Sequence, residues 1–181
     1  MKKLLFLLTL AIISVATATS QEVVPPRKPY PTISGMPGYV TINELHGAYG
    51  LRDTSAPKSH YIYGFTTVHS YFINSDFTVG GGTGASFYDD GFLLPLFLDV
   101  RYNFIHGRYV GFLFGNGGFL FDFNDINSGT RLFVNAGPGV RYATSSTLAY
   151  NLSTGLLIQM GESSRNSFIN LKLGITFKPK K

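Results

Sequence analysis

The sequence predicts an all-β protein, an eight-stranded antiparallel transmembrane β-barrel with up-and-down topology. First, residues from 38 onward divide into eight segments of strand length in which apolar side chains alternate with polar or small ones. Second, the chain has 21 Gly, 16 Phe and 11 Tyr but no Cys, a composition typical of membrane barrels. Third, the last segment, Asn166 to Phe177, has one wholly apolar face. In lipid its backbone groups need partners on both edges, so we expect this strand to close onto the first.

The first 37 residues do not have strand periodicity. Residues 1–20 contain Lys2 and Lys3, followed by an apolar run of about 13 residues and then by small residues. This pattern predicts a cleaved signal peptide. The run is shorter than the roughly 20 residues of a spanning helix. Residues 21–37 contain five prolines and predict an extended periplasmic lead. The barrel is then expected over residues 38–181.

The first three strands are predicted from loose alternation and strong turn signals. We place them at Tyr39–Leu51, His60–Phe72 and Phe77–Tyr88, with a tight turn at residues 74–76. The third strand contains the glycine run 80–82, but no Lys-Ser/Thr pair or helical pattern follows, which argues against a phosphate loop. Glycine here is better explained by strand curvature or by a large neighbouring side chain in a narrow lumen.

The remaining five strands carry the clearest alternation. In the fourth strand one face is apolar and consists of Leu94, Leu96, Leu98, Val100, Tyr102 and Phe104. The other face has Asp99, Arg101 and Asn103. The others are expected at Arg108–Asp122, Thr130–Tyr142, Thr147–Gln159 and Asn166–Phe177. Pro138 cannot donate to a sheet ladder, so we expect a local bulge there. With eight strands both ends meet on one side, and the connections near residues 74, 106 and 144 are short, as periplasmic turns are.

One parity of these strands collects charged and amide side chains. Because an eight-stranded barrel is just wide enough for its side chains to fill, we expect this lumen-facing set to form a paired polar network. The set is Glu44, Asp99, Arg101, Asn103, Arg131, Asn135, Arg141, Asn151, Gln159 and Lys172. A small conducting pore is the alternative interpretation of the same residues. The opposite parity is apolar, and aromatic girdles at two membrane interfaces are expected from Tyr39, Tyr61, Tyr88, Phe104, Tyr109 and Tyr142.

The segment Leu94–Phe104, the glycine-rich strands around it and the ending Leu171–Phe177 resemble the small outer-membrane β-barrel proteins of Bacteroidetes, which are similar in architecture to OmpA- and OmpX-type barrels. The resemblance implies the outer membrane of a Gram-negative bacterium, outer-membrane lipids as surroundings, and an assembly machinery that reads the C-terminal strand. The residues that match this signal are Leu171, Leu173, Ile175 and Phe177. The tail 178–181 departs from the pattern, since it moves the aromatic residue away from the terminus.

We therefore expect a noncatalytic integral membrane protein with a role in envelope integrity or surface contact, with no cofactor, no metal and no nucleic-acid partner. After loss of the leader, 13 basic residues face 10 acidic ones, and they are scattered. Ser59-His60 and His69-Ser70 are sequence neighbours, so in strands their side chains point to opposite faces. His106, in a tight turn, is expected to be solvated. A lipid A-modifying hydrolase or acyltransferase, and a soluble lipid-binding barrel with inverted faces, remain the alternatives, and the oligomeric state is open.

Overall fold

The computed structural model describes a single closed sheet. The described residues are 33, 37–51, 60–88, 91–105, 107–122, 130–161 and 165–179. The predicted signal peptide, nearly all of the Pro-rich lead and His106 lie outside this part of the chain. Across the described ranges, no helix is long and apolar enough to cross a membrane.

Eight antiparallel strands follow one another around the barrel in chain order, and β8 pairs with β1 to close it. The strands are β1 Gly38–Gly50, β2 Tyr61–Phe72, β3 Phe77–Tyr88, β4 Gly91–Asn103, β5 Tyr109–Asp122, β6 Arg131–Ala143, β7 Leu148–Met160 and β8 Arg165–Phe177. The predicted fold class and the closure of the last strand onto the first are confirmed. Predicted and observed strand ends differ by a few residues at most.

Strand alternation separates an apolar outer wall from a polar interior. Large apolar side chains are exposed on every strand, for example Leu45, Phe65, Val79, Leu98, Leu113, Val134, Leu152 and Leu173. On β4, Leu96, Leu98, Val100 and Tyr102 face outward, and Phe104 just beyond the strand continues this row, while Asp99 and Arg101 are buried. A soluble barrel with inverted faces is therefore contradicted, because such a barrel would turn that row inward. This apolar wall is what a transmembrane barrel presents to lipid.

Two short turns are held by their own side chains. Between β2 and β3, Asn74 Oδ1 accepts hydrogen bonds from the backbone N–H groups of Asp76 and Phe77 at 2.8 and 2.7 Å. Between β6 and β7, Ser145 Oγ accepts from the N–H groups of Thr147 and Leu148 at 3.2 and 3.0 Å. Such side-chain acceptors pre-form a turn, which fixes the register of the hairpin that follows.

Two sequence predictions about individual residues are wrong. The bulge at Pro138 is absent: the β6–β7 ladder skips Gly137 and Pro138 but resumes in unchanged register at Gly139 opposite Ser153. A missing N–H therefore interrupts the ladder without inserting a residue. Tyr88 does not belong to an outer aromatic girdle either, because it is buried and its hydroxyl donates to Asp122 Oδ2 at 2.9 Å. A phenol with a buried acceptor is better satisfied inside than at the lipid face.

Candidate functional site

The barrel interior, which we call the lumen, is the candidate functional site. Of the ten residues predicted for it, nine are buried and Arg131 is half-buried. The buried nine are Glu44, Asp99, Arg101, Asn103, Asn135, Arg141, Asn151, Gln159 and Lys172. They come from β1, β4, β6, β7 and β8, so closure of the sheet brings together residues more than 100 positions apart.

A charged cluster occupies the middle of the lumen. Arg101 Nη2 lies 3.0 Å from Glu44 Oε1, and Arg101 Nε donates to Asp99 Oδ1 at 2.9 Å. Lys172 Nζ lies 3.7 Å from Glu44 Oε2. Asn116, on β5, links the two halves: its Nδ2 donates to Asp99 and its Oδ1 accepts from Lys172 Nζ at 2.8 Å. Two carboxylates thus meet two cations, which removes much of the cost of burying them.

Aromatic rings complete the surroundings of the cations. Lys172 Nζ lies 4.4 Å from the centre of the Phe114 ring. The guanidinium groups of Arg101 and Arg141 lie 5.6 and 5.2 Å from the Phe112 ring. Ring faces attract cations, and the attraction strengthens where water is excluded. This explains why the inward face of β5 is largely apolar although it borders a charged cluster.

Amide side chains form further links above and below this cluster. Arg141 Nε donates to Asn151 Oδ1 at 2.9 Å, and Asn151 Nδ2 donates to Thr176 Oγ1 at 2.7 Å. Asn170 Nδ2 donates to Asn135 Oδ1 at 2.7 Å. Asn103 Nδ2 donates to the backbone oxygen of Ser75 at 2.9 Å and so ties β4 to the β2–β3 turn.

The predicted residues do not form one continuous set. Gln159 is buried, but its Oε1 has no hydrogen-bond partner within the described part of the chain. Arg131 lies apart from the central cluster, with Nη2 at 3.8 Å from Asp122 Oδ2. The predicted set also lacks Asn116 and Asn170, which form two of the links. Asn116 shares its parity with Val110, Phe112 and Phe114, so nothing in the local pattern of β5 marked that face as the polar one.

The open space inside the lumen is small. A cavity of about 50 Å³ is bordered by polar groups, among them His46, Ser86 and Lys172, and by apolar ones, among them Phe97 and Phe133. Since a cavity needs about 10–15 Å³ to hold one water, this one suits a few waters. Glycines make room for the rings: a Cβ on Gly82 would meet the Phe97 ring at 2.5 Å. This agrees with the prediction that a glycine faces a large side chain.

One contact could carry chemistry. His46 Nε2 lies 3.2 Å from Ser86 Oγ, a Ser-His pair between β1 and β3 that sequence reasoning missed because the two residues are 40 positions apart. The pair borders the 50 Å³ cavity, which has no room for a lipid acyl group. No group of three or more His, Cys, Asp or Glu side chains that could hold a metal ion occurs among the described residues.

The four residues of the predicted assembly signal all lie on the outer wall. Leu171, Leu173, Ile175 and Phe177 are exposed on the apolar face of β8. Phe177 pairs with Thr41 of β1 and with Leu148 of β7, so it sits at the end of the seam that closes the barrel. Beyond it, Lys178 Nζ donates to the backbone oxygen of Ile33 at 3.2 Å, which draws the tail toward the lumen end.

No protein-family model matches this chain, and no curated protein sequence matches it. Solved structures do match. The crystal structure of Neisserial surface protein A has 13% sequence identity and a TM-score of 0.64, with 78% of this chain and 97% of that chain covered. The N-terminal β-barrel domain of Pseudomonas aeruginosa OprF has 16% identity and a TM-score of 0.47, covering 78% and 100%. Ail, the attachment invasion locus protein of Yersinia pestis, has 16% identity and a TM-score of 0.45, with the same coverage. The similarity to Neisserial surface protein A establishes that the chain shares the fold of a small outer-membrane β-barrel.

Proposed function

We propose that this chain is a noncatalytic integral protein of the outer membrane of a Gram-negative bacterium, with a structural role in envelope integrity or in contact at the cell surface. The observation that carries the proposal is a lumen largely filled by its own buried side chains, with Glu44, Asp99, Arg101 and Lys172 paired at its centre, inside an apolar wall. Such an interior offers neither a channel nor a substrate pocket, whereas the wall requires lipid around it. What remains available for function is the barrel as a membrane element and its surface connections.

The export and assembly steps belong to the same proposal. Residues 1–20 have the features of a cleaved signal peptide, which would deliver the chain to the periplasm. The exposed apolar row Leu171, Leu173, Ile175 and Phe177 would be read by the outer-membrane assembly machinery. The resemblance to Bacteroidetes barrels supports this setting, and outer-membrane lipids are then the principal partners. Neither a cofactor nor nucleic acid has a role in this account.

Cell fractionation with a gel-shift assay tests the proposal. We expect the mature protein in the outer-membrane fraction, migrating faster on a denaturing gel when it is not boiled, because a closed barrel resists detergent. A deletion strain should take up a large hydrophilic antibiotic faster than its parent, or lose adhesion to a surface. Recovery in the soluble periplasm without a mobility shift would overturn the proposal.

A lipid-modifying enzyme is the second candidate, favoured by the Ser86–His46 contact. An activated serine would be labelled by a fluorophosphonate probe in the folded protein, and Ser86→Ala would abolish the label. The small cavity predicts no labelling in either protein.

A pore is the third candidate, and liposomes that contain the protein should swell in sugar solutions no faster than empty ones.

A further inference from the structure

Polar side chains gather on one part of the outer wall that the structure describes. On β4 and β6 the described outward positions carry no amide, histidine or aliphatic hydroxyl, but five such residues gather on β1, β2 and β3. The strand register makes them contiguous, because Thr41 lies opposite His69, Asn43 opposite Thr67, and Thr67 opposite Thr83. We call Thr41, Asn43, Thr67, His69 and Thr83 the outer polar patch.

Some polar groups of this patch have hydrogen-bond partners within the described part of the chain, and others do not. Thr41 Oγ1 donates to the Tyr39 hydroxyl at 3.2 Å, and that hydroxyl is hydrogen-bonded to His69 Nδ1. By contrast, the exposed Asn43 amide has no hydrogen-bond partner in the described part of the chain. Thr154, on the outer wall of β7, instead donates to the backbone oxygen of Asn170 at 2.7 Å. Asn43 lies midway along β1, where lipid tails offer it nothing to bond.

The wall around the patch is grooved. Asn43 lines one outward groove with Phe65, Leu173 and Ile175. A second groove runs past Gly81 and Gly117 on the other side of β2. Between the two, β2 projects the large exposed side chains of Tyr63 and Phe65. Small residues beside large ones let two membrane surfaces approach closely.

We propose that two copies of this chain associate in the membrane through the outer polar patch, around a two-fold axis along the membrane normal. The inference rests on the proposed membrane function. An amide and a hydroxyl each donate and accept, and the patch has no Lys, Arg, Asp or Glu, so it is complementary to itself. Two copies inserted in the same direction present each polar group at the same depth, which brings Asn43 near Asn43 and Thr67 of the second copy. A lipid tail provides no such partner.

Site-directed cross-linking tests this interface, and the chain has no native cysteine to interfere. Leu45→Cys, at the next outward position of β1, keeps the Asn43 amide and, when oxidised in native membranes, should give a disulfide-linked dimer. Val134→Cys is the matched control: it faces outward on β6, on the opposite side of the barrel. We expect at least about tenfold more dimer at position 45 than at position 134, a ratio that corresponds to about 1.4 kcal/mol. Equal yields at the two positions would indicate random collision and overturn the proposal.

A second variant separates association from folding. Asn43→Val removes the unpaired amide, so the barrel should fold at least as well, while energy transfer between donor- and acceptor-labelled copies in liposomes falls to the background of a non-interacting barrel. Unchanged transfer would refute the role of Asn43. Heat modifiability is measured on the same samples. A normal gel shift without cross-linking overturns only the dimer, whereas loss of the shift in the wild-type chain overturns the membrane barrel itself.

Discussion

The central charged cluster predicts a large loss of stability when Arg101 is replaced. Arg101 is buried and contacts both Glu44 and Asp99, at 3.0 and 2.9 Å. Arg101→Met keeps much of the side-chain volume but leaves two buried carboxylates without their shared guanidinium. Breaking a buried ion pair by removing one partner costs about 3–5 kcal/mol. Arg131→Met is the matched control: its guanidinium lies at the longer distance of 3.8 Å from Asp122, which also accepts from the Tyr88 hydroxyl, so its loss should cost no more than about 1 kcal/mol.

Urea unfolding in detergent micelles measures the difference. The chain has no Trp, so the fraction folded is followed by the gel shift and by far-UV circular dichroism. With a urea m-value of about 2 kcal/mol/M, the unfolding midpoint of Arg101→Met should fall by about 2 M, and that of Arg131→Met by less than about 0.5 M. Arg101→Lys keeps the charge but cannot bridge both carboxylates, so its unfolding midpoint should lie between those of the two Met variants. Equal midpoints for the Met variants would refute the ion-pair account of the lumen.

Two further changes test the packing and the assembly of the barrel. Gly82→Leu should destabilise the barrel by about 1–3 kcal/mol because its Cβ would meet the Phe97 ring at 2.5 Å. Gly81→Leu, directed outward, should unfold at nearly the wild-type urea concentration, and equal effects of the two changes would contradict the assignment of faces. Phe177→Ala should reduce the amount of protein in the outer membrane severalfold while refolding into detergent stays near normal. Phe119→Ala, equally exposed on β5, should reach wild-type levels, and a matching deficit would argue against a C-terminal signal.

The sequence was enough to predict the fold because seven connections and eight alternating runs leave few other arrangements. The second half of β4 shows this best, since Leu98, Val100 and Tyr102 alternate there with Asp99, Arg101 and Asn103. β5 was harder: Phe112 and Phe114 face inward against cations, so an apolar face did not mean a lipid face. The sequence could not show which side chains meet across neighbouring strands. The His46–Ser86 contact, the Asn116 link and the outer polar patch each depend on the register of neighbouring strands, which only the closed sheet determines.

The assignment of inside and outside is the claim on which the whole account depends. A fluorophore on Leu152→Cys, on the outer wall of β7, can be compared with one on Ser146→Cys, in the exposed turn before that strand. In liposomes, we expect quenching at position 152 by nitroxides on lipid acyl chains but not by aqueous iodide, and the reverse at position 146. Quenching of position 152 by iodide alone, or its protection from both quenchers, would show that this face does not contact lipid and would contradict a membrane-spanning barrel.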